Sequence, residues 1–134
     1  MSSKPVVKVV CAVIHQERMV LACQRGPHRP LANLWEFPGG KIESEETEEI
    51  ALIREIKEEL HCDLNVESYL MTVKHEYDDF IMLLSAYLCT IGDQKPMISV
   101  HRECRWVDVM ELNLLDFAQG DIPVVSYLET LLNK

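Results

Sequence analysis

The sequence predicts a mixed α/β domain in which one β-sheet lies between helices, an α/β/α sandwich. Three observations lead there. The apolar and β-branched runs fall in the order strand, strand, loop, helix, three strands, helix. Strand and helix do not alternate along the chain, as a doubly wound parallel sheet would require. Each helical stretch carries apolar residues along one side, which a sheet face must cover. At 134 residues the chain is expected to form one domain over 1–134, large enough for a real core.

The elements follow in order. Pro5–Ile14 is β-branched and mostly apolar and reads as a buried strand. His15–Arg18 is a polar turn into a second strand, Met19–Gln24, of the same hairpin. Arg25–Leu34 is a loop broken by Gly26, Pro27 and Pro30, with Arg25, His28 and Arg29 as cations. Trp35-Glu36-Phe37-Pro38 runs straight into Gly39 and Gly40. A helix follows to Leu60, with Thr47 as its N-cap. Asp63–Lys74 and Phe80–Thr90 are strands joined by the polar His75–Asp79, whose acids read as a solvated hairpin end. Gly92–Pro96 is a turn and Cys104–Val109 a short strand. Asp116–Ile122 is a loop before a closing helix, Pro123–Leu132, with Val124, Leu128, Leu131 and Leu132 inward.

The first helix carries the chemistry. At roughly 100° per residue, Glu55, Glu58 and Glu59 lie within an arc of about 100°. Leu52, Ile53, Ile56 and Leu60 form the adjacent apolar stripe. Three carboxylates this close repel unless cations sit among them, and hard oxygen ligands suit Mg²⁺ or Mn²⁺. A solvated acidic helix face would leave the same local pattern. The wider spacing is more specific. From Gly40, five residues lead to Glu46 and seven more to Arg54-Glu55, then Ile56, Lys57 and Glu58-Glu59.

This arrangement resembles the signature of the Nudix hydrolases, G-x5-E-x7-R-E-U-x-E-E-x-G-U, where U is aliphatic. His61 stands where the signature has its last glycine, and Cys62 where it has its last aliphatic residue. The resemblance implies the sandwich fold. WEFPGGKIE is similar to the same segment of the MutT-type branch. For that branch the resemblance implies hydrolysis of a nucleoside triphosphate to the monophosphate and pyrophosphate, by attack of water on the β-phosphorus. It implies Glu55, Glu58 and Glu59 as metal ligands, with the Gly40 carbonyl as a fourth. Arg54 then orients a glutamate by an ion pair, and Glu46 supports the metal through outer-shell water. Related enzymes often carry an EHxE segment before the RW strand. Here Val100 stands in place of its first glutamate, leaving Glu103, His101, Glu55 or Glu59 to activate the water.

The remaining candidates concern the substrate. Arg25 and Lys41 are cations near the glycine turn that a phosphate would need, although surface lysines are common. Trp35 and Phe37 either wall a base pocket or belong to the core. Asp121, in Gly120–Pro123, stands where the MutT-type branch reads the base, and its GDIP context looks like that of CTP pyrophosphohydrolases. An aspartate there accepts from an exocyclic amine such as cytosine N4, or simply caps the last helix. Both pyrimidine triphosphates and 8-oxo-dGTP remain open as substrates. A Nudix enzyme for ADP-ribose or a dinucleotide polyphosphate and a non-catalytic nucleotide-sensing module are the alternatives.

A net charge of −9 argues against a nucleic-acid duplex as partner, because a polyphosphate backbone needs basic surface. A small nucleotide needs only a metal ion and a few local cations. Five cysteines without CxxC spacing read as reduced thiols, neither a disulfide frame nor a zinc site. No apolar run spans a membrane, Met1–Lys8 lacks a leader pattern, and the expected location is cytoplasmic. Nothing in the sequence sets an oligomeric state.

Overall fold

The computed structural model describes residues 4–131. Strands β1 (Val6–Gln16) and β2 (Met19–Arg25) are followed by two short strands, β3 (Trp35–Glu36) and β4 (Gly39–Lys41). Helix α1 (Glu48–Leu60) leads to β5 (Asn65–Glu76), β6 (Ile81–Thr90) and β7 (His101–Asp108), and α2 (Ile122–Leu131) closes the fold. β1 is the hub. It pairs with β2 only near the turn, at His15–Val20 and Gln16–Met19. It then runs parallel to β6 from Val6–Ile81 to Ile14–Cys89 and antiparallel to β4. β5 pairs with β6, while β3 and β7 flank β2. The sheet is mixed because β1 and β6 are joined by a helix-containing crossover.

The period of two along β1 divides the core. Val10, Ala12 and Ile14 face α1, packing with Leu21, Ala51, Leu52, Ile56 and Leu60. Cys11 and Val13 face the other way, toward Trp35, Phe37, Leu112, Val124 and Leu128. One sheet thus buries both faces, as the element order requires.

Three expectations shift. β7 begins at His101 and not at Cys104, and the segment around the glycines is two short strands instead of a plain turn. Ile53, expected in the apolar stripe, is 44% exposed, so the stripe narrows to Leu52, Ile56 and Leu60 with Ala51. Leu132 lies outside the described residues. Among those described, no helix is long and apolar enough to cross a membrane.

Helix α1 is pinned at both ends. Thr47 accepts from the Ile50 N–H as N-cap. Glu48 accepts hydrogen bonds from Ser85 (3.1 Å) and Tyr87 (2.6 Å) on β6. At the other end the Ser99 hydroxyl donates to the carbonyls of Glu58 (3.0 Å) and Glu59 (2.9 Å). His61 closes the helix at φ 57°, in the left-handed region that glycine occupies without a Cβ penalty. His61→Gly should therefore stabilise the fold by about 0.5–1 kcal/mol, after allowing for the greater freedom of glycine in the unfolded chain. Chemical denaturation measures this; an unchanged or lowered midpoint would mean that the histidine is not strained.

Candidate active site

The glycines exist because two other groups occupy the space of their missing side chains. A Cβ on Gly39 would strike the Val10 carbonyl of β1, and one on Gly40 would overlap the Glu55 carboxylate. Gly40 thus lets an acid of α1 sit directly against the backbone of β4. Arg54 gathers the other carboxylates. Its Nε and Nη2 donate to Glu46 (2.6 and 2.9 Å), its Nη1 lies 3.3 Å from Glu58 and 3.5 Å from Glu55, and Nη2 also bonds the Lys41 carbonyl (3.1 Å). Both oxygens of Glu46 are engaged by Arg54, and one also accepts from the Glu43 N–H (2.8 Å). These bonds, that from Arg54 foremost, hold Glu46 below the usual carboxylate range.

Glu59 lies deepest. Its Oε1 is buried without a hydrogen-bond partner among the described residues, 3.8 Å from Nε2 of His101. Burial, helped by the negative charges of Glu55 and Glu36, pushes its carboxyl up to about 8. Burial also raises Glu55. An orphaned carboxylate oxygen beside a second acid, with Glu58 more exposed at the edge, is a donor set that fits a hard divalent cation.

Behind Glu59 stands a buried network that the sequence did not signal. Glu36 accepts from Arg25, from Arg29 (3.3 Å) and from Nε2 of His101 (2.9 Å). Burial pushes Glu36 up, but the His101 hydrogen bond and the two guanidinium groups outweigh it and leave the carboxyl low. His101 reaches this place through a β-bulge. β7 pairs Glu103 with Gln24 but His101 with Arg25, so Arg102 is an extra residue and the strand changes face.

That bulge corrects the expectation for Glu103. Its carboxylate lies on the opposite face from His101, held by Arg105 at 2.9 and 3.0 Å. Trp35 is also corrected: it is core, beneath the Arg105 guanidinium at 5.1 Å, and does not line the cavity described next. Arg25 does line it, but its guanidinium is already spent on Glu36 and the Pro30 carbonyl (2.7 Å), which makes it a poor free phosphate ligand.

A cavity of about 710 Å³ opens beside the acids. Gly40, Lys41, Phe37, Met82, Leu84 and Asp121 are among the residues that line it. Its size suits a small molecule with an apolar and a polar end. Tyr77, Asp78 and Asp79 of the β5–β6 turn also border it, with both aspartates exposed. Phe37 packs against Phe117 with the rings tilted by 37° and centroids 5.2 Å apart. Asp121 is buried, and its Oδ2 accepts from the Phe37 N–H (2.8 Å). The side chain thus bonds across to Phe37 at the cavity wall, so helix capping does not account for it. Burial pushes Asp121 up to about 7.

This shift has a signed consequence. Between about pH 4 and 7 the folded protein keeps a proton on Asp121 that the unfolded chain has lost, so stability falls as pH rises through that window. Asp121→Asn removes this contribution, on the order of 2–4 kcal/mol. Melting temperatures taken from pH 4 to 8 should therefore fall less steeply for the variant; parallel curves would show that Asp121 is ionised throughout.

Comparison with known proteins gives this geometry a family. A CTP pyrophosphohydrolase from Escherichia coli (strain K12) is 31% identical over 120 residues, covering 90% of this chain and 89% of that protein. An 8-oxo-dGTP diphosphatase from the same organism is 29% identical over 125 residues, 92% of this chain and 97% of its own. The solution structure of a MutT protein, a Nudix hydrolase from methicillin-resistant Staphylococcus aureus 252, has a TM-score of 0.79 at 43% identity, covering 96% of this chain and 99% of its own. The NUDIX domain profile matches residues 9–127, from the hub strand through the acid-bearing helix and into α2, and the chain belongs to the NUDIX family.

Proposed function

We propose that this enzyme hydrolyses a nucleoside triphosphate, cytidine-type or carrying 8-oxoguanine, to the monophosphate and pyrophosphate in nucleotide-pool house-cleaning. The observation that carries the reading is that Gly40, against which the Glu55 carboxylate packs, lines the same cavity as Asp121. The names of the similar proteins support the same two substrate classes.

Divalent metal is a general requirement of the family, and Mg²⁺ is the ion proposed here, with Mn²⁺ as a substitute. Glu55, Glu58 and Glu59 would hold it, together with the Gly40 carbonyl. When bound, such an ion neutralises phosphate charge and lowers the pKa of water. The residues of the chain do the rest. Arg54 keeps Glu58 and Glu55 in place while Glu46 anchors Arg54, a more direct support than the outer-shell water expected of Glu46. Water attacks the β-phosphorus, the bond to the bridging α–β oxygen breaks, and the monophosphate leaves. With Glu103 on the far face, Glu55 and Glu59 are the acids positioned to take the water proton. Lys41, exposed at the cavity edge, offers its charge to the phosphates.

The base stacks near Phe37 and meets Asp121. With its pKa near 7, Asp121 both donates and accepts, which matches N3 and N4 of cytosine and also the N7–H and O6 edge of 8-oxoguanine. A panel of CTP, dCTP, 5-methyl-dCTP, 8-oxo-dGTP, dGTP, ADP-ribose and diadenosine polyphosphates, compared by kcat/KM, tests the reading; preference for either of the last two would overturn it. Glu58→Gln should lower turnover at least about 100-fold with Mg²⁺ while leaving the fold intact. Near-normal turnover in that variant at saturating substrate would remove Glu58 from the metal set. Asp121→Ala should lower the ratio of the best to a poor substrate by about 1–3 kcal/mol in discrimination. An unchanged ratio would retire Asp121 as the base reader.

A further inference from the structure

Two cysteines far apart in the sequence meet on the face of the sheet that carries α1. Cys23 on β2 pairs directly with Cys104 on β7, and the Cys104 thiol lies 2.8 Å from the Cys23 sulfur. Cys23 is fully buried, and Cys104 is half-buried. The bulge at Arg102 brings His101 to the same place. Both sulfurs and a ring nitrogen of His101 lie within 4.8 Å of one another. The His101 side chain has no exposed surface. Its Nε2 faces Glu36 at 2.9 Å, while Nδ1 is buried without a partner among the described residues.

We propose that Cys23, Cys104 and His101 form a binding site for a soft divalent metal ion, zinc in the first instance, separate from the hard-cation carboxylates of α1. The ligand types point to this class, since thiolate and imidazole select Zn²⁺ over Mg²⁺. The tautomer points the same way. Glu36 is an acceptor, so in the neutral ring Nε2 carries the proton and Nδ1 offers a bare lone pair. Zinc-bound histidines commonly donate their other ring N–H to a carboxylate, and His101 has such a partner in Glu36. An unpaired buried acceptor is otherwise costly. A Cys23–Cys104 disulfide would leave Nδ1 unexplained.

Tetrahedral zinc needs its ligand atoms about 3.5–3.8 Å apart. The sulfurs must therefore part by roughly 1 Å, which rotation of the half-buried Cys104 side chain supplies. Binding replaces the two thiol protons, which pass to solvent, and involves no change of oxidation state. Water would complete the fourth position. An ion here ties β2 to β7 and locks His101 beside Glu36 and Glu59, bracing the floor of the acid cluster. The inference does not rest on the nucleotide reading.

The test uses the whole reduced protein with excess Mg²⁺ present. Titration with Co²⁺, a spectroscopic stand-in for zinc, should give one equivalent of binding with a thiolate-to-cobalt charge-transfer band, displaced by Zn²⁺. In Cys104→Ser the band should be lost and zinc affinity should fall by at least about 100-fold. In Cys62→Ser, at a thiol outside the cluster, both should persist. A second measurement needs no variant: one equivalent of Zn²⁺ should protect Cys104 of the native protein from alkylation, and Mg²⁺ should not. Absence of the band, its survival in Cys104→Ser, or alkylation indifferent to Zn²⁺ would each overturn the proposal. So would a reduced protein that takes up no metal but forms the Cys23–Cys104 disulfide on oxidation.

Discussion

The guanidinium of Arg54 stands among Glu43, Glu46, Glu55 and Glu58, all within 3.5 Å of it, and the geometry of the acid cluster depends on it. Without that cation the carboxylates would push α1 away from the β4 glycines. A planar fork of donors suits this better than a point charge, because Glu46 is held by two bonds while a third edge reaches Glu58. Such a partly exposed network adds little to stability. Its value lies in orientation, since it holds acids near one another before any cation arrives.

Below this layer the constraint is burial. Glu59 and Glu36 are charged residues in a place where an unpaired charge is costly. Glu36 solves the problem with three cationic or donor partners, Arg25 at the end of β2, Arg29 in the loop after it and His101 of β7. Glu59 has no such set, and its carboxyl rises accordingly. The contrast between neighbouring acids, one held low and one pushed high, follows from the partners each one has. Arg25, expected to meet phosphate, pairs instead with the protein's own Glu36.

Asp121 repeats the theme at the far end of the cavity. One oxygen is fixed by the Phe37 N–H, and the ring of Phe37 rests on Phe117. Backbone, aromatic ring and carboxyl are thereby joined at the cavity wall. Preorganisation of this kind reduces the ordering cost of binding.

Local spacing along the sequence determined the acids of α1, its Thr47 cap and the division into strands and helices. Those features depend on residues within a few turns of one another, and periods of two and 3.6 are written directly in the chain. Only the tertiary structure decided the rest. A single extra residue at Arg102 puts Glu103 on one face of β7 and His101 on the other, and no local pattern announces a bulge. Trp35 and Phe37 are two residues apart and both belong to the core, yet only Phe37 also lines the cavity. Cys23 and Cys104 meet through strand register, and Asp121 finds Phe37 across 84 residues. Register and face are properties of pairs of strands, so side chains whose partners come from distant strands become legible only once the sheet is assembled.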